Sequence, residues 1–137
     1  MLIPAEAREL IDGDALAHLV TIDPDGRPQV SCVWVGMEDD EIAFASIGER
    51  RKLDNIRRDP RVALSIEGTR TNEIGLREYL VVHGSARIEE GGAPELLQHL
   101  AYTYIGPDVT FPPMDDPPPG VVARISAERL GGVGPWR

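Results

Sequence analysis

Between Arg50 and Arg61 the chain concentrates six of its fourteen lysine and arginine residues: Arg50, Arg51, Lys52, Arg57, Arg58 and Arg61. Only two acids, Asp54 and Asp59, lie in those twelve positions, so an island of +4 sits in a chain whose net charge is −9. Lys52 is the sole lysine, a compact and strongly hydrated charge among arginines that offer planar forks. Leu53 and Ile56, three apart, give a short helix one apolar side, and Asp59-Pro60 ends it, because the residue before proline is driven out of the helical region. A helix that starts just after Gly48 offers unpaired backbone N–H groups and the positive end of its dipole beside Arg50 and Lys52. That combination suits a phosphate. A solvated basic face is the competing reading. An RNA-contacting patch is another, weakened by the acidic remainder of the chain and by an aromatic content of 5%.

Other chemistries leave no trace. His18, His83 and His99 lack the close spacing of a metal-ligand pair, and Cys32 reads as a small core residue beside Trp34. There is neither a P-loop nor a nucleophile elbow. No side chain stands out as catalytic, so an enzymatic role implies a cofactor that carries the reaction while the protein orients it.

The bulk properties fit this picture. A length of 137 residues suits one domain spanning 1–137, and 42% hydrophobic with 27% charged residues is ordinary for a globular chain. A single cysteine excludes an internal disulfide. No signal-peptide core follows Met1 and no apolar run approaches a membrane span, so a cytoplasmic protein is expected. A pI near 4.7 sets the chain as a whole against nucleic acid and anionic membranes; any anion must be met locally.

The elements that position the island follow from periodicity and turn chemistry. Pro4 to Asp12 reads as a short helix closed by Gly13. Leu16–Ile22 and Pro28–Val35 read as a hairpin around Asp23-Pro24-Asp25-Gly26, the second strand placing Gln29, Ser31, Val33 and Val35 on one face and Val30, Cys32 and Trp34 on the other. Met37–Glu41 reads as an acidic turn. Ile42–Ile47 is a third strand that runs into the island, Val62–Ile66 a fourth, and Glu78–Ile88 a fifth in which Gly84 signals a bulge or a close backbone approach. The polar stretch Gly68–Arg77 reads as a loop. Ala93–Tyr104 has the spacing of an amphipathic helix, Pro112–Pro119 is stiff and proline-rich, Val121–Ile125 is a sixth strand, and Gly131–Arg137 reads as a flexible tail. Six short strands with isolated helices favour a small antiparallel barrel over a parallel sheet.

The order of these motifs resembles a known family. Leu19 to Ser31, Val33-Trp34-Val35, the element Arg50-x-Lys52-x-x-Asn55-x-Arg57-x-Asp59-Pro60, the segment Tyr79 to Ala86 and Leu100 to Gly106 are together similar to the pyridoxamine 5'-phosphate oxidase-like split barrels. The likeness is greatest to the actinobacterial branch that uses the deazaflavin coenzyme F420; other members bind FMN. The resemblance implies a mainly β, six-stranded split β-barrel, homodimeric, with two cofactor sites at the subunit interface. It also implies that Arg50 and Lys52 take the cofactor phosphate with Asn55 and Arg57 in support. Gln29, Ser31 and Val33, with Ala45, Ser46 and Ile47, then line the ring system. Position in the tail alone, apart from the resemblance, gives the expectation that Trp136 closes over the site. Thr103, where many relatives have lysine, and Thr71–Arg77, which lacks a proline-rich approach to the fifth strand, depart from the pattern.

On this reading the protein is an F420-dependent reductase that passes hydride to an unsaturated small molecule, with no nucleic-acid or membrane partner and no metal. An FMN oxidoreductase of the same fold is one alternative, and an F420 carrier without turnover is another.

Overall fold

A computed structural model describes residues 1–137. Three helices and seven strands follow in the order α1 (Ala5–Ile11), β1 (Ala17–Ile22), β2 (Pro28–Val33), β3 (Gly36–Glu38), β4 (Glu41–Ser46), α2 (Arg51–Arg58), β5 (Arg61–Thr71), β6 (Arg77–Glu90), α3 (Ala93–Tyr104) and β7 (Val121–Val133). All strand pairings are antiparallel, in one sheet of order β2-β1-β5-β6-β7-β4-β3. The two edges, β2 and β3, are joined through Trp34 and Val35 alone. A sheet whose opposite edges are so closely connected has to curl until they nearly meet, and right-handed strand twist supplies the curvature.

Closure is incomplete, and where it fails matters. β3 pairs with β4 only from Gly36↔Ala43 to Glu38↔Glu41. The preceding strand leaves β4 and pairs instead with β1, from Val33↔Ala17 to Pro28↔Ile22. The far half of β4, from Phe44 to Ser46, is paired on one side only, by β7. The barrel is therefore split between β2 and this half of β4, and α2 follows directly from the end of β4.

Alternation along the strands builds the core. Leu64 and Ile66 of β5, Leu80 and Val82 of β6, Ile42 and Phe44 of β4 and Ile125 of β7 are almost wholly buried and pack with Leu53 and Ile56 of α2. Leu96 and Leu100 of α3 cover Ala43 and Val122 on the outside of the sheet. Gly84 meets the expectation for mid-strand glycine. The β6–β7 register shifts between His83 and Gly84, and a Cβ at Gly84 would overlap the carbonyl oxygen of Ser126.

Four expectations need correction. Gly36–Glu38, which overlaps the acidic turn expected at Met37–Glu41, is a seventh strand; three residues headed by glycine are too few to carry a period. Gly68–Arg77 is not a loop throughout. β5 continues to Thr71, and the turn is confined to Asn72–Gly75, where Asn72 Oδ1 accepts from the N–H groups of Ile74 at 3.1 Å and Leu76 at 2.9 Å. The C-terminal segment is not a free tail either: β7 runs to Val133 against β6, and Trp136 is buried in the core. Cys32 is exposed rather than internal, because it lies on the outer face of an edge strand. Its neighbour on that face, Trp34, stacks on Tyr104 at 5.4 Å and packs against Phe111 at 5.1 Å. Gln98 of α3 holds the start of the proline-rich segment, donating to Val109 O at 3.0 Å and accepting from Phe111 N–H at 2.9 Å. No helix is long and apolar enough to cross a membrane.

Candidate functional site

The start of α2 is built by three local features. Ser46, the last residue of β4, turns the chain by accepting from the Glu49 N–H at 3.3 Å. Gly120 makes room for that corner; its φ of +56° lies in the left-handed region, and a Cβ there would overlap the Ser46 carbonyl oxygen. Arg50 stands at the N-cap with no side-chain cap, and the first-turn amides of Arg51, Lys52 and Leu53 have no hydrogen-bond partner. Unpaired N–H groups at the positive end of a helix dipole favour an anion.

Folding neutralises most of the positive island. Arg51 forms a two-pronged pair with Asp23, Arg57 lies between Asp54 at 3.8 Å and Glu90 at 3.4 Å, and Arg61 pairs with Asp59 at 2.7 Å. Arg58 donates to the Ile22 carbonyl and to Asn55 Oδ1. The pairs leave their mark on the acids: hydrogen bonds from Arg51, then Asn55, pull the Asp23 carboxyl down to about 2, and Arg61 does the same to Asp59, also to about 2. The Arg50 side chain alone of the six makes neither a hydrogen bond nor an ion pair. Arg58 is held by neutral oxygens and by no acid; at the helix start itself the cations are Arg50, exposed and free, and Lys52, whose side chain is 3% exposed and has Glu49 as its one ion-pair partner. Burial pushes the Lys52 ammonium below the usual lysine range. Glu49 is largely in water, where screening leaves it little power to offset that burial.

Asn55 has a different task from the one expected. It is buried, and its side chain is fully engaged inside the protein. Asp23 can only accept and Arg58 can only donate, which fixes the amide: Nδ2 donates to Asp23 Oδ1 and to Thr21 Oγ1, both at 3.0 Å, and Oδ1 accepts from Arg58 at 3.1 Å. Thr21 passes the polarity on by donating to Gln29 Oε1 at 2.7 Å. The Gln29 amide N–H groups therefore face away from Thr21, and one reaches the Val30 carbonyl at 3.3 Å. Charged groups at α2 set the polarity of a side chain on the split.

The remaining expected residues divide. Gln29, Ser31 and Val33 share the inner face of β2, on one side of the split; Val33 is committed to the core. Ser31 Oγ is buried and has no hydrogen-bond partner in the protein, the only such side-chain atom in the chain. A buried hydroxyl left in this state asks for a ligand or a water. Across the split, Ala45 packs beneath α3, Ser46 supports the turn and Ile47 lies beside Gly120. Arg57 is exposed and faces its acids. Trp136 is not brought to this site within the chain. Its indole donates to Gly131 O at 2.9 Å, and it borders a cleft with Glu9, Gly13, Glu67 and Arg70. β1 separates the two places: Ala17 pairs with Ile66 near that cleft, whereas Thr21 and Asp23 lie at α2. Spacing alone does not mark Glu49, because its pairing matters only through the burial of Lys52, which the sequence does not show.

These features fit a phosphate-bearing flavin-type group: free and buried cations at an uncapped helix start, with an unpartnered hydroxyl on the wall of the split. Comparisons with known proteins agree with the fold. A solved F420 reductase superposes with a TM-score of 0.75 at 25% identity, covering 94% of this chain and 98% of its own. A conserved hypothetical protein of Mycobacterium tuberculosis gives a TM-score of 0.72 at 27% identity, covering 96% and 84%. HupZ of Group A Streptococcus, at 21% identity and a TM-score of 0.66, covers 96% of this chain and 94% of its own and shares the fold. Among curated proteins none matches. The model of the pyridoxamine 5'-phosphate oxidase family matches residues 3–134, and the chain belongs to that family.

Proposed function

We propose that the protein is a reductase that uses coenzyme F420, with residues 1–137 acting as one cofactor-binding domain in the cytoplasm. The observation that carries the reading is the selective neutralisation of the basic island. Of six cations, the fold leaves Arg50 free and buries Lys52 at an uncapped helix start, an arrangement suited to one phosphate. The likeness to the F420 reductase supports the choice of deazaflavin over FMN.

The chain's own residues would bind and orient. Arg50, Lys52 and the first amides of α2 hold the phosphate, while Asn55 fixes α2 against β1. Gln29 offers N–H donors and Ser31 a hydroxyl toward the ring system, with Val33, Ala45, Ser46 and Ile47 shaping the split. When bound, the reduced deazaflavin supplies a hydride from its C5 to an unsaturated small molecule laid against the ring. No acid at the split is placed to deliver a proton, so water serves.

The outer sheet face supports a homodimer. The cross-strand row Val30, Val20, Ala63 and His83 gives a largely uncharged surface, and Val30 is 59% exposed. Native mass spectrometry with F420 and FMN offered in turn tests subunit count and cofactor together. The expected result is a dimer that retains two F420 molecules. A monomer, or a species that retains FMN and ignores F420, would overturn the reading.

A further inference from the structure

A buried ammonium requires an anion beside it, and in this chain the anion is Glu49. The pairing is lopsided. Lys52 is 3% exposed at its side chain, whereas Glu49 is 67% exposed, and the Glu49 carboxylate touches no other group in the protein. Lys52 stays in place because its side chain is buried. The Glu49 carboxylate is held by Lys52 alone, while its backbone sits on the loop that Ser46 turns into the helix.

The carboxylate is held by Lys52 at the helix start that also carries free Arg50 and the unpartnered amides of Arg51, Lys52 and Leu53, and it bonds to none of these. These are the groups assigned above to the phosphate. Two anions cannot share one ammonium without mutual repulsion. An exposed carboxylate can return to water readily, and Lys52 is not left unpaired if a phosphate takes its place.

Resting on the reading that this junction takes the cofactor phosphate, we propose that Glu49 is a built-in competitor that occupies Lys52 in the free protein and is displaced when the phosphate binds. The consequence is selectivity. A small monoanion that replaces Glu49 gains one contact, whereas a phosphate reaches Lys52, Arg50 and the helix amides together, so only the latter displaces the carboxylate efficiently.

Glu49→Gln keeps the side chain's size and removes its charge. The probes are F420 and 8-hydroxy-5-deazariboflavin, which has the same ring and ribityl chain without the phosphate. F420 affinity is expected to rise about 3- to 10-fold in the variant, the scale on which an exposed ion pair and a nearby like charge act. Affinity for the phosphate-free probe should not change. An F420 affinity equal to or below that of the wild type overturns the competitor while leaving the phosphate site standing. If the wild type and the variant both bind the two probes equally well, the phosphate site fails and the competitor fails with it.

A second readout does not depend on affinity. Lys52 is the only lysine, so protein labelled with ¹³C-lysine gives one Cε resonance. Wild type and Glu49→Gln should differ there when free and coincide when saturated with F420. A difference that survives saturation means that Glu49 never leaves, and the proposal is wrong.

Discussion

Asn55 Nδ2 donates to Thr21 Oγ1 at 3.0 Å inside the protein, tying the helix that carries the basic island to the first strand of the sheet. The bond explains why an asparagine three positions after Lys52 belongs to this element: its amide is spent on Thr21 and on the Asp23 carboxylate, not on an external anion. Its partners give it a fixed polarity, and each would be left short of a bond without it. Asn55→Ala is expected to destabilise the fold by about 1 to 3 kcal/mol, the scale for orphaning buried hydrogen-bonding groups. Urea unfolding measures this; an unchanged midpoint would show that the network is idle.

Acid should weaken the same junction in a defined window. Asp23 titrates at about 2 in the fold and about 3.9 when unfolded. Its folded pKa is depressed, so its contribution is present above the unfolded value and is lost as the pH falls from about 4 through about 2. Wild-type stability should therefore fall more steeply across that window than that of Asp23→Asn. Parallel pH profiles in urea titrations would contradict the Asp23–Arg51 pair as a source of stability.

Trp136 is expected to act on stability. Its indole is 7% exposed and packs into the core, so Trp136→Ala should cost about 3 to 5 kcal/mol, seen as an early thermal transition. A stable variant that loses only cofactor affinity would restore the expectation of a closing tail.

Gly84→Ala tests the sheet crossing. The new methyl group would meet the Ser126 carbonyl, and overpacking of this kind costs about 1 to 3 kcal/mol. A midpoint equal to wild type would show that β6 and β7 can separate freely there.

Much of this architecture was legible in sequence, for identifiable reasons. α3 and the β1–β2 hairpin were readable because periodicity and turn residues act locally. The short helix of the island was readable from Leu53, Ile56 and Asp59-Pro60. What could not be read depends on partners distant in the chain. Asp23 and Glu90 neutralise Arg51 and Arg57 from 28 and 33 residues away, so the island seemed more positive than the folded surface is. The burial of Lys52 was hidden because the sequence shows a charge and not its surroundings. Val121–Ile125 looked complete because the polar Ser126, Glu128 and Arg129 end the apolar run, yet β6 is long enough to keep pairing through Gly131 and Gly132. Cys32 looked internal because alternation marks two faces without saying which is covered.

The central claim is that the start of α2 holds a cofactor phosphate through Lys52. Lys52→Met keeps the buried stem and removes the charge, and should leave the fold at least as stable, since a buried ammonium is itself unfavourable. Fluorescence titration of wild type and Lys52→Met with F420 is the direct measurement. The expected result is a loss of about 1.5 to 3 kcal/mol in binding, roughly 10- to 150-fold in affinity, in a variant that stays folded. Equal affinity in the two proteins would contradict the account.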